Sequence, residues 1–91
     1  MNTVAASIVS PKTGINLQVF TDQPGVQFYT GNFLNGVDVG KSGKPYQKHS
    51  AFCLETQGFP DAPNQPDFPS CLLEAGEVFE SETRYRFKVV K

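Results

Sequence analysis

Hydrophobic and polar positions in this chain alternate in short runs, and the runs are separated by glycine and proline. Val4 to Val9 is a short apolar run. In Ile15 to Phe20 apolar and polar residues alternate strictly through Ile15, Leu17 and Val19. Between the two lies Ser10-Pro11-Lys12-Thr13-Gly14, a stretch with turn chemistry, so the first twenty residues predict a β-hairpin. Asp22-Gln23-Pro24-Gly25 predicts a second turn, with Pro at the first central position and Gly where a positive φ is wanted. Val26 to Thr30 and Phe52 to Gln57 read as the next strands. Thr83 to Val90 is the clearest of all, with Tyr85, Phe87 and Val89 on one face and Arg84, Arg86 and Lys88 on the other. Leu72 and Leu73 lead toward a turn near Gly76, and Glu77 to Phe79 is a candidate for pairing there. Nothing has a convincing helical period. The expectation is an all-β chain with no helix longer than a turn or two.

Two long irregular stretches interrupt the strands. Gly31 to Lys48 holds four glycines and one proline, and Gly58 to Ser70 holds four prolines. Loops of this length in a small domain are usually functional or supported by something else. Pro60, Pro63, Pro66 and Pro69 recur at every third residue, so in a polyproline II helix all four would share an edge. That is the pattern of a ligand for aromatic-grooved modules. Against it stand Phe59 and Phe68, which suit a loop packed back on its own sheet, and the acidic Asp61 and Asp67.

Strand alternation assigns faces. Cys53, Glu55 and Gln57 share one face, while Phe52, Leu54 and Thr56 share the other. Gln27 and Tyr29 share a face opposite Val26, Phe28 and Thr30. If the two strands are neighbours, Gln27, Tyr29, Glu55 and Gln57 line one polar concavity; otherwise they are scattered over a solvated sheet face.

Composition narrows the field. Ninety-one residues make at most one domain. The apolar fraction of 38% and eight Phe suffice for a modest core. A formal charge of -1 gives no field to attract nucleic acid or anionic membranes. The N-terminus has no basic region and its apolar run is too short, so neither a signal peptide nor a transmembrane segment is expected. Cys53 and Cys71 make neither a disulfide framework nor a zinc site, and they point to free thiols in a reducing, cytoplasmic compartment. No phosphate loop, Ser–His–Asp arrangement or metal-ligand cluster is present.

Glu55 is the candidate general base, because a carboxylate held on a strand beside a stiff loop is preorganised. The bland alternative is an ordinary exposed strand carboxylate. His49 is the sole histidine. Six extended residues would put its Cα about 20 Å from that of Glu55, which argues against a dyad.

Longer motifs then come into view. They are Gly25-Val26-Gln27-Phe28-Tyr29-Thr30-Gly31-Asn32-Phe33, Lys48-His49-Ser50 with Phe52-Cys53-Leu54-Glu55-Thr56-Gln57, Phe59-Pro60-Asp61-Ala62, Asn64-Gln65-Pro66, Leu72-Leu73, Gly76-Glu77 and Thr83 to Phe87. In these the chain resembles the C-terminal part of the aldose 1-epimerase (galactose mutarotase) family. The resemblance implies that residues 1–91 are a single partial domain, the C-terminal portion of a large antiparallel β-sandwich roughly three times as long. It also implies interconversion of hexose anomers with no metal or cofactor. Glu55 would be the general base and Gln27 a substrate-binding residue. The family's acid histidine, a second active-site histidine, an Asn-Arg pair and a sugar-binding Asp lie upstream of the matched region. The chain is therefore expected to carry the base without the acid, and to be inactive or nearly so alone. A separate chain supplying the remainder, or self-association through exposed sheet edges, would complete or cover it. Alternatives are a non-catalytic carbohydrate-binding or complementing module and a proline-rich interaction peptide.

Overall fold

The computed structural model describes residues 2–90. It is all-β apart from one short 3-10 turn. Five strands follow in order: β1 (Ala6–Val9), β2 (Ile15–Thr21), β3 (Gly25–Tyr29), β4 (Cys53–Gln57) and β5 (Thr83–Val89). The 3-10 turn, Ala62–Asn64, lies between β4 and β5. All pairings are antiparallel. One sheet has the order β1-β2-β5, and a second consists of β3 and β4.

The β1–β2 hairpin forms where the alternation and turn chemistry placed it. Ser10 N–H donates to Ile15 O and Gly14 N–H to Ser10 O, at 3.0 and 2.8 Å. Gly14 is required twice over. Its φ is +74°, and a Cβ there would come within 2.6 Å of the Val90 carbonyl oxygen. This close approach lets Val90 N–H reach Gly14 O at 2.7 Å and seals the end of β5 against the hairpin. β5 then pairs with β2 along its full length, from Ile15↔Val89 to Thr21↔Thr83.

At the other end Asp22 organises the entry to β5 rather than a simple turn. Its carboxylate accepts from Ser81 Oγ at 2.9 Å and from Glu82 N–H at 3.1 Å. Gly25 does not take the positive φ its turn position suggests. It is already the first residue of β3, and its missing side chain serves a different purpose, described below. The two sheets are stitched together by hydroxyls. Thr83 Oγ1 lies 3.2 Å from Thr21 Oγ1 in its own sheet and 2.8 Å from Thr56 Oγ1 of β4.

Other boundaries differ modestly. β1 starts at Ala6 rather than Val4, and β4 at Cys53 rather than Phe52. Glu77 to Phe79 does not pair with any strand; Gly76, with φ +88°, makes a turn closed by Glu77 N–H to Glu74 O. The Gly31–Lys48 loop folds on itself through a bridge between Val39 and Pro45.

Little of the chain is buried. Among the described residues only Val19, Gly31, Ala62 and the polar Asn16 reach the interior. Asn16 is satisfied there, its Nδ2 donating to Ser7 Oγ and Ile8 O, both at 2.9 Å. The apolar face of β5 is open: Tyr85, Phe87 and Val89 are 55%, 67% and 66% exposed. The accessible surface is 7309 Å², against about 5,200 Å² for a compact 10.0 kDa monomer. The radius of gyration, 16.7 Å, likewise exceeds the roughly 12 Å of a compact 91-residue domain.

Candidate functional site

The two polar faces read from the sequence meet. β3 and β4 are direct neighbours in the register Gly25↔Gln57, Gln27↔Glu55 and Tyr29↔Cys53. Directly opposed residues of an antiparallel pair project from the same face, with Cβ atoms about 4.5–5.5 Å apart. Gln27 and Glu55 therefore stand side by side, both exposed to solvent. Gln57 joins them, its Nε2 donating to Gln27 Oε1 at 3.0 Å. Tyr29 turns its hydroxyl to its own loop, accepting from Phe33 N–H at 3.1 Å.

The opposite face of the same strand pair is aromatic. Phe28 and Phe52 approach with ring centroids 6.2 Å apart. His49 belongs to that side. It lines a depression with Phe28, Thr30 and Phe52. Its Nδ1 lies 3.0 Å from Thr30 O, and its backbone takes a left-handed φ of 63°. His49 and Glu55 are not brought together.

The proline-rich loop closes one end of the polar face. Phe59 lies over Gly25, where a Cβ would meet its Cε1 at 2.9 Å and its Cδ1 at 3.0 Å. Any side chain on residue 25 would have to displace this ring. Phe68 packs edge-on against Phe59 at 5.3 Å. The loop is therefore folded back on the sheet, as the two aromatics suggested. It is not the polyproline II edge that the three-residue proline spacing allowed. Asp61, in the left-handed region at φ 64°, accepts from Gln65 and Asn64 at 2.9 and 2.6 Å and curls the chain into the 3-10 turn that contains Pro63. These two amide bonds, Gln65 first, hold the Asp61 carboxyl below its ordinary range.

A depression of about 260 Å³ results, lined by Gln27, Gln57, Phe59 and Pro60 with the backbone of Gly25 and Gly58. Amide groups beside an aromatic ring suit a small polyhydroxylated ligand. Glu55 borders a wider cleft of about 540 Å³ between β4 and β5, shared with Leu17, Tyr85 and Phe87. Cys53, on the Glu55 face, and Cys71 are both free and exposed. The part of this arrangement that strand alternation alone did not reveal is Phe59 as a wall of the site. The available signal was Gly25, which faces Gln57 and leaves the space the ring fills.

Comparison with known proteins gives one consistent result. The aldose 1-epimerase family profile matches residues 2–86. The chain is 60% identical over 77 residues to galactose mutarotase of Bos taurus, covering 85% of this chain and 22% of that protein. It is 58% identical over the same length to galactose mutarotase of Homo sapiens. Aldose 1-epimerase of Escherichia coli (strain K12) is 40% identical over 86 residues, 92% of this chain and 25% of the bacterial protein. The chain spans about a quarter of the length of the curated relatives it matches, so they are nearer four times than three times its length.

Proposed function

This chain belongs to the aldose 1-epimerase family, and from that premise we propose that it supplies the base-bearing strand pair of a site that interconverts hexose anomers. The observation that carries the reading is the β3–β4 register, which sets Glu55 and Gln27 opposite each other on one open face. In this reading Glu55 takes the proton from the anomeric hydroxyl while Gln27 hydrogen-bonds the sugar. The anomeric C–O bond becomes a carbonyl, the bond from that carbon to the ring oxygen breaks, and the ring oxygen gains a proton. Rotation about the first carbon–carbon bond and reclosure then give the other anomer. One proton leaves and one arrives, so the reaction needs no redox partner. The hexose is galactose or a close relative, in keeping with the names of the similar proteins.

The proton for the ring oxygen comes, on this proposal, from outside the 91 residues. His49 is the one imidazole in the sequence, and it lies with Phe28 and Phe52 on the face away from Glu55. Residues 1–91 then act as a partial domain, the C-terminal portion of a family-type β-sandwich. Its remaining part covers the open apolar surface and brings the acid. A cytoplasmic setting fits two exposed free thiols.

A second reading is a carbohydrate-binding module without turnover. It is favoured by the Gln27–Gln57 amide pair against Phe59, which can hold a sugar with no acid present. Titration of the ¹⁵N-labelled chain with galactose tests what the two readings share. Shifts are expected at residues 25–29 and 53–59, weakened by Glu55→Gln and Gln27→Ala. Shifts confined to other residues, or none up to the solubility of the sugar, would refute both. Anomer exchange measured on the same samples separates them.

A further inference from the structure

Gly25, directly across from Gln57, presents no side chain, and Phe59 fills the space over it. Gln57 is left to lean along the sheet toward its diagonal neighbour Gln27, a distance within reach of long side chains. The resulting bond has a direction: Gln57 Nε2 donates and Gln27 Oε1 accepts, at 3.0 Å. An amide has one acceptor oxygen and two N–H donors. With its oxygen engaged, Gln27 turns its nitrogen outward, and among the described residues that nitrogen has no protein partner. Beside it stands Glu55, which when ionised can only accept.

We infer that Gln57 is a positioning residue that fixes the Gln27 amide with its N–H donors toward the ligand, so that a proton acceptor and a hydrogen-bond donor address the same sugar oxygen. The inference rests on the hexose reading above and deepens it. When Glu55 removes the hydroxyl proton, negative charge develops on the oxygen left behind. A preorganised N–H aimed there is stronger in the transition state than in the ground state. A flipped Gln27 would present its carbonyl instead. It could accept from the neutral hydroxyl but would repel the oxyanion. The orientation of one amide therefore decides whether Gln27 assists deprotonation or only binding, and Gln57 sets that orientation.

The test is a swap of hydrogen-bond polarity. In Gln57→Glu the new carboxylate can only accept, so Gln27 must rotate and donate to it. In the ¹⁵N side-chain amide spectrum of the whole chain, the Gln57 NH₂ of the wild type should show the small temperature coefficient of a bonded amide. The Gln27 NH₂ should show a free amide with nuclear Overhauser contacts to Glu55. Gln57→Glu should make the Gln27 NH₂ the bonded one. Affinity is read in parallel with galactose, whose anomeric oxygen gives its one proton to Glu55 and accepts from Gln27, and with 1-deoxygalactose, which lacks that oxygen. The variant should weaken galactose about tenfold, the worth of one lost hydrogen bond to a ligand, while 1-deoxygalactose changes by less than about threefold. Gln57→Ala, which frees the amide to turn either way, should fall between.

Equal weakening of both sugars would overturn the inference and reduce Gln57 to a packing residue. So would Gln27 amide signals indifferent to the residue at 57. If neither sugar perturbs the wild-type spectrum, the hexose reading fails, while the amide signals still decide whether Gln57 orients Gln27.

Discussion

Replacing Tyr85, Phe87 and Val89 together with threonine should convert a self-associating chain into a monomer without dismantling the β2–β5 ladder. These three side chains are more than half exposed, yet they occupy one continuous face of β5, opposite Val19, Leu17 and Ile15. The chain as a whole exposes about 2,100 Å² more than a compact monomer of its mass. A standard protein interface takes about 800 Å² from each partner, so the excess equals more than two such faces. An exposed apolar face such as that of Tyr85, Phe87 and Val89 marks a surface that another surface covers. In the wild type, association should therefore appear across the micromolar range. Threonine retains strand propensity, and exposed substitutions usually change folding stability by no more than about 0.5 kcal/mol each. Interface anchors of this kind are worth about 2 kcal/mol apiece. Their joint loss should weaken association by on the order of a thousandfold or more. Sedimentation velocity over a wide concentration range, with far-ultraviolet circular dichroism beside it, measures both effects. A wild-type chain that is monomeric at all concentrations, with a scattering radius of gyration near 12 Å rather than 16.7 Å, would refute the reasoning. It would mean that the apolar face closes on the chain itself.

Other expectations are local. Asn16→Ala removes two buried hydrogen bonds to β1 and should cost about 2 kcal/mol in chemical denaturation, more than any nearby surface change. Phe59→Ala removes the ring that holds the proline loop over Gly25 and abuts Phe68. It should cost about 1–2 kcal/mol and raise amide hydrogen exchange selectively in residues 60–70. The Asp61 carboxyl is held low by Gln65 and Asn64, so the unfolded chain binds the proton more readily than the folded one. The stabilisation it gives the loop is thus fully present above the unfolded-state aspartate pKa of about 3.9 and is lost as pH falls through the lower folded value. A carboxyl carbon titration should place Asp61 below an unfolded-state reference, and Asp61→Asn should abolish that acid-dependent loosening.

How far the fold was legible depends on the kind of signal. Short apolar or alternating runs bounded by turn residues located all five strands, and period-two alternation assigned Gln27 and Glu55 to hydrogen-bonding faces, because side-chain parity along a strand is fixed by the backbone. Parity says nothing about which strands pair. The join of Gln27 to Glu55 needed the β3–β4 register, formed across the 23 residues between Tyr29 and Cys53. Gly25 shows the limit of turn rules. Its position suggested a positive φ, whereas its role is steric, as the seat of Phe59. The proline spacing misled for a related reason. A three-residue period is compatible with polyproline II, but side-chain bonds from Asn64 and Gln65 to Asp61 override it locally. The roles of Glu55 and Gln27 came from the resemblance of their motifs, and strand alternation gave only their shared orientation.

The most direct test of the central claim is polarimetry of hexose anomer interconversion, with this chain alone and with the separately expressed remainder of a family relative, each with wild-type Glu55 and with Glu55→Gln. The account predicts little or no turnover from the chain alone and activity on complementation. It also predicts a loss of about 10²–10⁴ in the complemented rate when the Glu55 carboxylate is replaced by an amide that cannot take a proton. Robust turnover by the isolated chain, or complemented activity that survives Glu55→Gln unchanged, would contradict it.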